Sequence, residues 1–249
     1  MSGDALLAEV IEAHGGRESW QASPELVVQV SSGGLAVAAK LQRSGLHNLE
    51  ARVATDRQRV VFTPYPRRGH RGVFDRGVVR IEAADGSVIH ERSQPRDDLG
   101  SPRRLLWWDH LDLLYFGAAS LWTYMATPFI FTETGFEVAA RGQWAEHGHV
   151  WRRLAVTFPP GVHTHSRQQV YYVGDDGLIR RHDYTAGEFG TWAKSAHYWF
   201  DHVAFDGLIV PRKRRVLLRR SGGRSLSHPL LVWIDVHDVS RASTHAGPN

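Results

Sequence analysis

A run of twenty residues without a charged side chain, Leu113 to Thr132, constrains the fold of this chain more than any other feature. Its length matches a membrane span, but Pro128 interrupts it, small and polar residues dilute it, and strand-like sequence flanks it on both sides. We interpret it as a helix from about Trp108 to Ala126 that ends before the proline, with Asp109 and Asp112 as capping residues in its first turn. A helix that is apolar almost all round must be covered all round. We therefore expect it to pack against a curved sheet and not to insert stably into a membrane.

A second, shorter helix is predicted at the start of the chain, from Asp4 to His14. Its apolar face consists of Leu6, Leu7, Val10 and Ile11. Gly15-Gly16 can end this helix, and Trp20 follows as a residue that can plug the end of a core. The first residues lack the basic segment, the apolar run and the cleavage site of a secretory signal, so we expect a cytoplasmic protein.

The remaining sequence alternates between apolar and polar residues with a period of two, which is typical of half-buried strands. The predicted strands before the uncharged run are Glu25 to Ser32, Leu35 to Arg43, Leu49 to Ala54, Gln58 to Thr63, Val78 to Ala83 and Val88 to Arg92. Those after it are Glu137 to Arg141, Val150 to Phe158, Gln168 to Val173, Leu178 to Thr185, Ala196 to Phe205, Leu208 to Leu218 and Leu230 to Val239. The polar segment Ser93 to Arg104, which contains two prolines, is predicted to be a loop.

These elements predict an α+β fold: a strongly curved antiparallel half-barrel of ten or more strands, with the central helix packed on its concave face. The sequence contains no internal repeat and no convincing linker, so residues 1–249 are expected to form a single domain. A hydrophobic content of 42% supplies material for a sizeable core.

Composition also limits the chemistry. The chain has no cysteine, which excludes disulfides, thiolate metal sites and a cysteine nucleophile. The net charge of +4 comes mostly from arginines with acidic residues between them, and no recognition helix follows them, so nucleic-acid binding is not expected. No glycine-rich phosphate loop and no nucleophile elbow occurs, and we expect no cofactor.

His163 and His165 lie two residues apart, just before a predicted strand. If the segment is extended, both imidazoles point to one side and could belong to a metal site. The histidines that could supply a third ligand are His182, His197 and His202. A pair at this spacing arises by chance in a chain with 15 histidines, so we expect no bound metal.

The strand after the Asp175-Asp176-Gly177 turn carries a mixed polar and aromatic face. Alternation places Arg180, His182 and Tyr184 on one side, and Arg181 and Asp183 on the other. The first side is either a solvated sheet face or the wall of a cavity. In a cavity, His182 would act as an acid or base near neutral pH and Tyr184 as a hydrogen-bond donor.

The partners of this face depend on the length of the turn. With two loop residues, Tyr171 lies opposite His182 and Gln169 lies opposite Tyr184; with three, each partner shifts to the preceding residue. On the next strand, His197, Trp199 and Asp201 share one face, where a carboxylate could orient and charge the imidazole. The alternative there is one core face and one solvated face.

Two short motifs resemble a known family. The first is the opening helix with Ala13-His14-Gly15-Gly16 and a tryptophan before the strands, and the second is the hairpin from Tyr171 to Tyr184. Both resemble the bacterial lipoprotein-carrier superfamily. The resemblance implies a curved antiparallel half-barrel, closed by helices on its open side, with a pocket for acyl chains; it carries over no catalytic residue. Unlike the periplasmic carriers, this sequence shows no signal peptide.

We therefore expect a pocket for a hydrophobic small molecule such as a polyketide, a terpenoid or an acyl compound. The density of His, Asp and Tyr on the late strands favours cofactor-independent acid–base chemistry, such as an isomerisation, a lyase step or a cyclisation. The alternative is a non-catalytic carrier or sensor of a similar ligand.

In the enzyme hypothesis, His182 or His165 moves the proton, an aspartate orients or charges an imidazole, and a tyrosine stabilises a developing oxyanion. The candidate catalytic residues are His165, His182, Asp183, Tyr184, His197 and Asp201. The candidate ligand-binding residues are Tyr115, Trp122, Phe129, Gln169 and Tyr171.

Overall fold

The computed structural model describes residues 2–42, 46–99 and 101–242, and within them thirteen strands form one antiparallel sheet. The first six strands are β1 (Glu25–Gly33), β2 (Leu49–Ala54), β3 (Arg59–Thr63), β4 (His70–Asp75), β5 (Val78–Ala83) and β6 (Val88–Arg92). The other seven are β7 (Glu137–Glu146), β8 (His149–Thr157), β9 (Gln168–Val173), β10 (Ile179–Thr185), β11 (Lys194–Phe205), β12 (Leu208–Arg219) and β13 (Ser225–Arg241). The α-helices are α1 (Gly3–Ala13), α2 (Gly16–Gln21), α3 (Leu35–Ala38), α4 (Pro95–Leu99), α5 (Pro102–Leu106) and α6 (His110–Ala126).

The strand order explains how the chain covers its own sheet. The order is β6-β5-β4-β3-β2-β1-β13-β12-β11-β10-β9-β8-β7, so the chain runs outward to one edge, crosses to the other and returns to pair β13 with β1. The crossing segment between β6 and β7 contains α6, which packs against β2 to β6. The predicted α+β half-barrel, with an apolar helix on its concave face, is therefore confirmed.

The central helix fulfils the expectation drawn from the uncharged run. It ends at Ala126, directly before Thr127-Pro128, and all of its residues except His110 and Gly117 are buried. Asp109 and Asp112 form a capping box at its start, as predicted. No helix in the described ranges is long and apolar enough to cross a membrane.

A buried ion-pair network fixes the start of α6. Asp112 is fully excluded from solvent, and its carboxylate lies 2.7 Å from Arg104 Nη1. Arg92, at the end of β6, binds Asp112 and also lies 2.7 Å from the Asp109 carboxylate. Because buried charges are tolerated only when they are paired, this network ties β6 and α5 firmly to α6.

The structure differs from the sequence prediction at three points before α6. The predicted strand from Leu35 to Arg43 begins with the short helix α3 instead, and Arg43 itself lies outside the described residues. Gly34 causes the change, because its φ of +130° turns the chain sharply and a Cβ there would lie 2.4 Å from the Leu231 carbonyl oxygen.

Strand β4 was missed because Gly72 interrupts its apolar pattern. The glycine is required by packing: a Cβ at this position would lie 2.6 Å from the Tyr65 ring and 2.7 Å from Leu114 of α6. The predicted loop from Ser93 to Arg104 also contains α4 and the first residues of α5.

Candidate functional site

Two adjoining cavities lie between α6 and the concave face of the sheet. The inner cavity, of about 40 Å³, is lined mainly by apolar side chains of β1, β2, β3, β12 and β13, together with Tyr184 of β10 and one face of α6. The outer groove has a volume of about 530 Å³ and reaches solvent beside Leu35, Leu105 and Trp192. The two adjoin because four side chains line both of them: Phe116, Tyr184, Val216 and Val232.

One face of α6 forms the helical wall of the inner cavity. Phe116, Ser120 and Tyr124 follow one another at intervals of four residues and so lie on the same side of the helix. Tyr115 and Trp122, which were expected to contact the ligand, lie on a different face and line neither cavity. The Tyr115 hydroxyl lies 3.0 Å from His163 Nδ1, and Trp122 Nε1 donates to a backbone carbonyl at 2.9 Å.

The other three expected ligand-binding residues are also buried outside both cavities. Phe129 stacks on Trp20 with ring centroids 5.3 Å apart, so it closes the core beside α2. Tyr171 donates its hydroxyl hydrogen to Gln169 Oε1 at 2.9 Å, and Gln169 Nε2 donates to Thr164 Oγ1 at 2.8 Å. These two residues therefore position the loop that carries His165 rather than the ligand.

His165 is the centre of a hydrogen-bonded group where the groove meets the inner cavity. Its Nε2 lies 2.9 Å from the Tyr124 hydroxyl and 3.1 Å from Ser120 Oγ, and its Nδ1 lies 2.9 Å from a Glu188 carboxylate oxygen. Its ring stacks on Tyr184 at 4.7 Å. Burial opposes the charged form, but Tyr124 and Glu188 outweigh it and raise the pKa of His165 to about 10. At neutral pH the imidazole is therefore protonated and donates from both nitrogens.

The order Ser120–His165–Glu188 follows that of a hydrolytic triad, but the charge state opposes that chemistry. A triad histidine must be neutral to accept the proton of the serine, and this one is an imidazolium. Ser120 also donates its own hydrogen to the Phe116 carbonyl oxygen at 2.5 Å. The group is therefore arranged to donate hydrogen bonds, not to activate a nucleophile.

His182 and His197 lie deeper, with ring centroids 4.4 Å apart. Trp199 Nε1 donates to His182 Nδ1 at 3.0 Å, which leaves the proton of the neutral ring on Nε2. Burial, with a smaller effect of positive Arg214, holds the pKa of His182 well below its ordinary value. The pKa of His197 is lowered in the same way, by burial first and then by His182 and Arg214. The expectation that His182 titrates near neutral pH is thus not met, because the ring is excluded from water.

The hairpin register selects one of the two predicted pairings. Tyr171 lies opposite His182, the pairing predicted for two loop residues, and the two rings stack at 5.1 Å. The turn itself has three loop residues, since the Gly174 N–H donates to the Leu178 carbonyl oxygen at 2.9 Å, and a register shift between Ile179 and Arg181 produces this pairing. His182 and Tyr184 both point towards α6, since Tyr124 lies 5.7 Å from the His182 ring and its hydroxyl is 3.4 Å from that of Tyr184. Of these, Tyr184 lines the cavities.

The two candidate aspartates do not join this group. Asp183 lies on the outer face, where it binds Arg181 Nε at 2.7 Å and accepts a hydrogen bond from Tyr172 at 2.8 Å. Asp201 has a left-handed backbone, with φ of +54°, which interrupts the alternation of β11. Its half-exposed carboxylate lies 2.6 Å from Lys213 Nζ. In the described part of the chain, neither carboxylate is placed to orient an imidazole of the concave face.

The histidine pair before β9 also separates. His163 contacts Tyr115, whereas His165 contacts Ser120 and Tyr124, in the middle of α6. Within residues 2–42, 46–99 and 101–242, no group of three or more histidine and acidic side chains is placed to hold a metal ion.

Several residues of the site were not identified from the sequence, among them Ser120, Tyr124, Glu188 and Arg214. Tyr124 lies one helical turn beyond Ser120, and Glu188 belongs to an irregular loop whose pattern gives no indication of its position. Arg214 alternates with Val216 along β12, which indicates an inward side chain. Its Cζ lies 3.9 Å from the centroid of the Trp199 ring, and burial lowers its pKa to about 9.

Comparisons with known proteins agree on the fold. No family model matches the chain, and no curated protein matches it. Among solved structures, a LolA superfamily protein from Nitrosomonas europaea has a TM-score of 0.54 and 8% identity, over 97% of this chain and 94% of that one. A domain from Vibrio parahaemolyticus assigned to outer membrane lipoprotein sorting has a TM-score of 0.53 and 9% identity, over 99% and 94%.

A DUF1329 family protein from Desulfovibrio piger is similar to the same degree, with a TM-score of 0.52 and 14% identity, over 99% of this chain and 95% of that one. At such low identity these similarities concern the fold alone. The chain has a lipoprotein-carrier-like fold, as the sequence resemblance implied.

Proposed function

We propose that this chain binds a hydrophobic small molecule of the acyl-lipid type and carries it without transforming it. The observation that carries the proposal is the continuity of an apolar groove with a small apolar cavity beneath α6. The groove volume of about 530 Å³ lies within the range of about 300–1,000 Å³ that is usual for small-molecule sites. The similarity in fold to a domain assigned to lipoprotein sorting supports an acyl-type ligand.

The polar residues at the junction of the two cavities suit the polar end of such a ligand. Protonated His165 and the Tyr184 hydroxyl lie where the groove meets the inner cavity. Both N–H groups of His165 are bonded within the protein, so the Tyr184 hydroxyl, which lines both cavities, is the donor for an ester carbonyl or a hydroxyl oxygen. Glu188 balances the charge of His165 at 2.9 Å, so the site favours an uncharged polar group over an anion.

The sequence-based enzyme hypothesis has less support. Acid–base catalysis at neutral pH works best with a group whose pKa lies near the working pH. The pKa of His165 is raised to about 10, and those of His182 and His197 lie well below their ordinary value. The three imidazoles are therefore held in fixed charge states across the neutral range, which suits ligand binding better than proton transfer.

The test is to measure binding of a fluorescent fatty acid to a variant in which a larger side chain fills part of the cavity. Val216 lines both cavities, whereas its neighbour Leu217 lies on the outer face of β12. We expect Val216→Phe to weaken binding at least about tenfold, or ~1.4 kcal/mol, and Leu217→Phe to leave it nearly unchanged.

Equal binding by the two folded variants, checked by thermal unfolding, would contradict the proposal. Mass spectrometry of lipid extracted from the purified protein gives an independent measurement, and a co-purified acyl compound is the expected result. The cytoplasmic location stays a prediction, which fractionation of cells expressing the tagged chain would check.

A further inference from the structure

Large apolar side chains surround the place where the groove reaches solvent. Five of them form what we call the mouth rim: Leu35, Leu41, Leu105, Leu106 and Trp192. Leu106, Leu41 and Trp192 are 75%, 72% and 65% exposed. Leu35, Leu105 and Trp192 line the groove itself, while Leu106 and Leu41 directly follow lining residues. Single exposed apolar residues need no explanation, but a group of this size around one opening indicates an interaction surface.

The rim is built on segments that are fixed to one another. The Lys40 side chain, which is itself buried, donates to the carbonyl oxygens of Arg104 and Leu105, the former at 2.9 Å. The backbone N–H of Trp108 donates to the Lys40 carbonyl oxygen at 3.2 Å. The segment after α3 and the helix α5 are thus joined, and their leucines form one continuous surface beside the groove.

The charge of the rim has a single sign. Its three segments, residues 34–42, 101–108 and 190–195, contain no acidic residue and include four basic ones. Of these, Arg103 and Lys194 are exposed. On either side of the second segment, the carboxylates of Asp98 and Asp109 lie 3.3 Å and 2.7 Å from the Arg92 guanidinium. Asp109 also lies 3.1 Å from Arg104, so both carboxylates are paired with arginines.

Exposed leucines and a tryptophan flanked by arginine and lysine match the chemistry of a membrane surface. Apolar side chains enter the boundary between headgroups and acyl chains, while basic residues approach the phosphates of anionic lipids. A partner protein would also accept apolar residues, but the charge pattern and the opening of a lipid-sized groove inside the same patch favour a bilayer.

We propose that the mouth rim docks reversibly on a bilayer containing anionic lipid, so that the ligand passes between the membrane and the groove without crossing water. This inference rests on the proposed function, because it names the surface from which the same site is loaded. It requires only peripheral contact, in keeping with the finding that no helix of the described residues could span a membrane.

The experiment is flotation of the full chain with two kinds of vesicle, phosphatidylcholine alone and phosphatidylcholine mixed with phosphatidylglycerol. We expect binding to the mixed vesicles to be stronger by about tenfold, and to weaken at high salt because exposed charges are screened. Leu106→Glu and Trp192→Glu should each abolish most of it. Val150→Glu is the matched control, since Val150 is 51% exposed but lies on the outer face.

Binding of the fluorescent fatty acid in vesicle-free solution separates this inference from the proposed function. Leu106→Glu should retain it, because Leu106 is exposed and does not line the groove. If Leu106→Glu and Val150→Glu bind mixed vesicles equally, or if the wild-type chain floats with neither kind of vesicle, the docking proposal is wrong. Loss of probe binding in Val216→Phe alone would then still support the carrier function. If the chain captures another protein through the mouth rim but does not bind vesicles, the rim docks on a partner protein, and the membrane proposal is also overturned.

Discussion

Arg181 and Arg214 lie on opposite faces of the same sheet, and 0% and 2% of their surfaces, respectively, are exposed. On the outer face, Arg181 lies 2.5 Å from Glu146 and 2.7 Å from Asp183. Burial lowers the pKa of Arg181, but Asp183 outweighs burial and raises it above the ordinary value. On the concave face, Arg214 has aromatic rings and a backbone carbonyl around it instead. Its guanidinium lies over Trp199 and over Tyr124 and donates to the Tyr124 carbonyl oxygen at 3.1 Å.

The difference shows how the two faces serve different purposes. The outer face uses complete ion pairing and a small aromatic cluster around Arg181, which hold β7 to β12 together. The concave face near α6 compensates its positive charges largely with aromatic rings, which attract cations through their faces. A wall of this kind remains mostly apolar towards the cavity, as a hydrophobic ligand requires. The concave face also contains one ion pair, between His165 and Glu188.

The largest effect should follow from removing the paired arginine. Arg181→Met leaves buried Glu146 without its arginine and leaves Asp183 with only Arg219, at 3.3 Å, so we expect a loss of about 3–5 kcal/mol in the free energy of unfolding. Denaturant unfolding measures it. The control is Arg180→Met on the same strand, whose partner Asp176 is half-exposed and which should cost less than about 1 kcal/mol. Similar losses in the two variants would show that the buried network adds nothing to stability.

The same strand shows what the sequence could predict. Alternation from Arg181 to Tyr184 placed Arg181 and Asp183 on one face and His182 and Tyr184 on the other, and the structure agrees, although the register of β10 shifts just before them, between Ile179 and Arg181. It failed at Asp201, because a left-handed backbone cannot be recognised from apolar periodicity in a non-glycine residue.

The central helix and the loops show what the sequence pattern could not predict. Because α6 is apolar on nearly every face, its sequence does not indicate which face points to the cavity. Nothing in the pattern distinguishes the cavity-lining Phe116 from its core neighbour Tyr115. Glu188 and Trp192 lie in a loop whose path is set by tertiary contacts. The fold was therefore predictable from pattern, whereas the shape of the cavity required knowledge of which helical face meets which strand.

The second prediction concerns acid stability. His182 and His197 are neutral in the folded protein, with pKa values well below the ordinary value. The stability that the folded protein gains from keeping these imidazoles neutral is complete above the unfolded pKa of about 6.5. It is lost as the pH falls below that value, because the unfolded chain then binds more protons than the folded one. Below pH 6.5, each histidine should lower the free energy of unfolding by roughly 1.4 kcal/mol per pH unit. Unfolding at pH 7, 6 and 5 should show a shallower decline in His182→Gln than in wild type; parallel curves would contradict the assigned charge state.

The third prediction has the opposite sign. The pKa of His165 is raised to about 10, so its stabilising contribution is complete below about pH 6.5 and is lost as the pH rises towards 10. In an NMR titration the His165 ring should stay protonated beyond pH 8, a value at which an ordinary histidine is neutral. Glu188→Gln removes the carboxylate and should lower this pKa. An unchanged titration in that variant would mean that Glu188 does not hold the charge.

The smallest effect completes the comparison between the two arginines. Arg214→Met removes a buried charge that has no carboxylate partner among the described residues, so it leaves no acid unpaired. Replacing such a charge with an apolar chain of similar size avoids its desolvation but loses the contacts with Trp199 and Tyr124, which are worth about 2 kcal/mol when desolvated. We expect the two effects nearly to cancel, with a change within about 1 kcal/mol in denaturant unfolding. A loss as large as that of Arg181→Met would show that Arg214 does have an anionic partner, and the apolar character proposed for the inner wall would then be wrong.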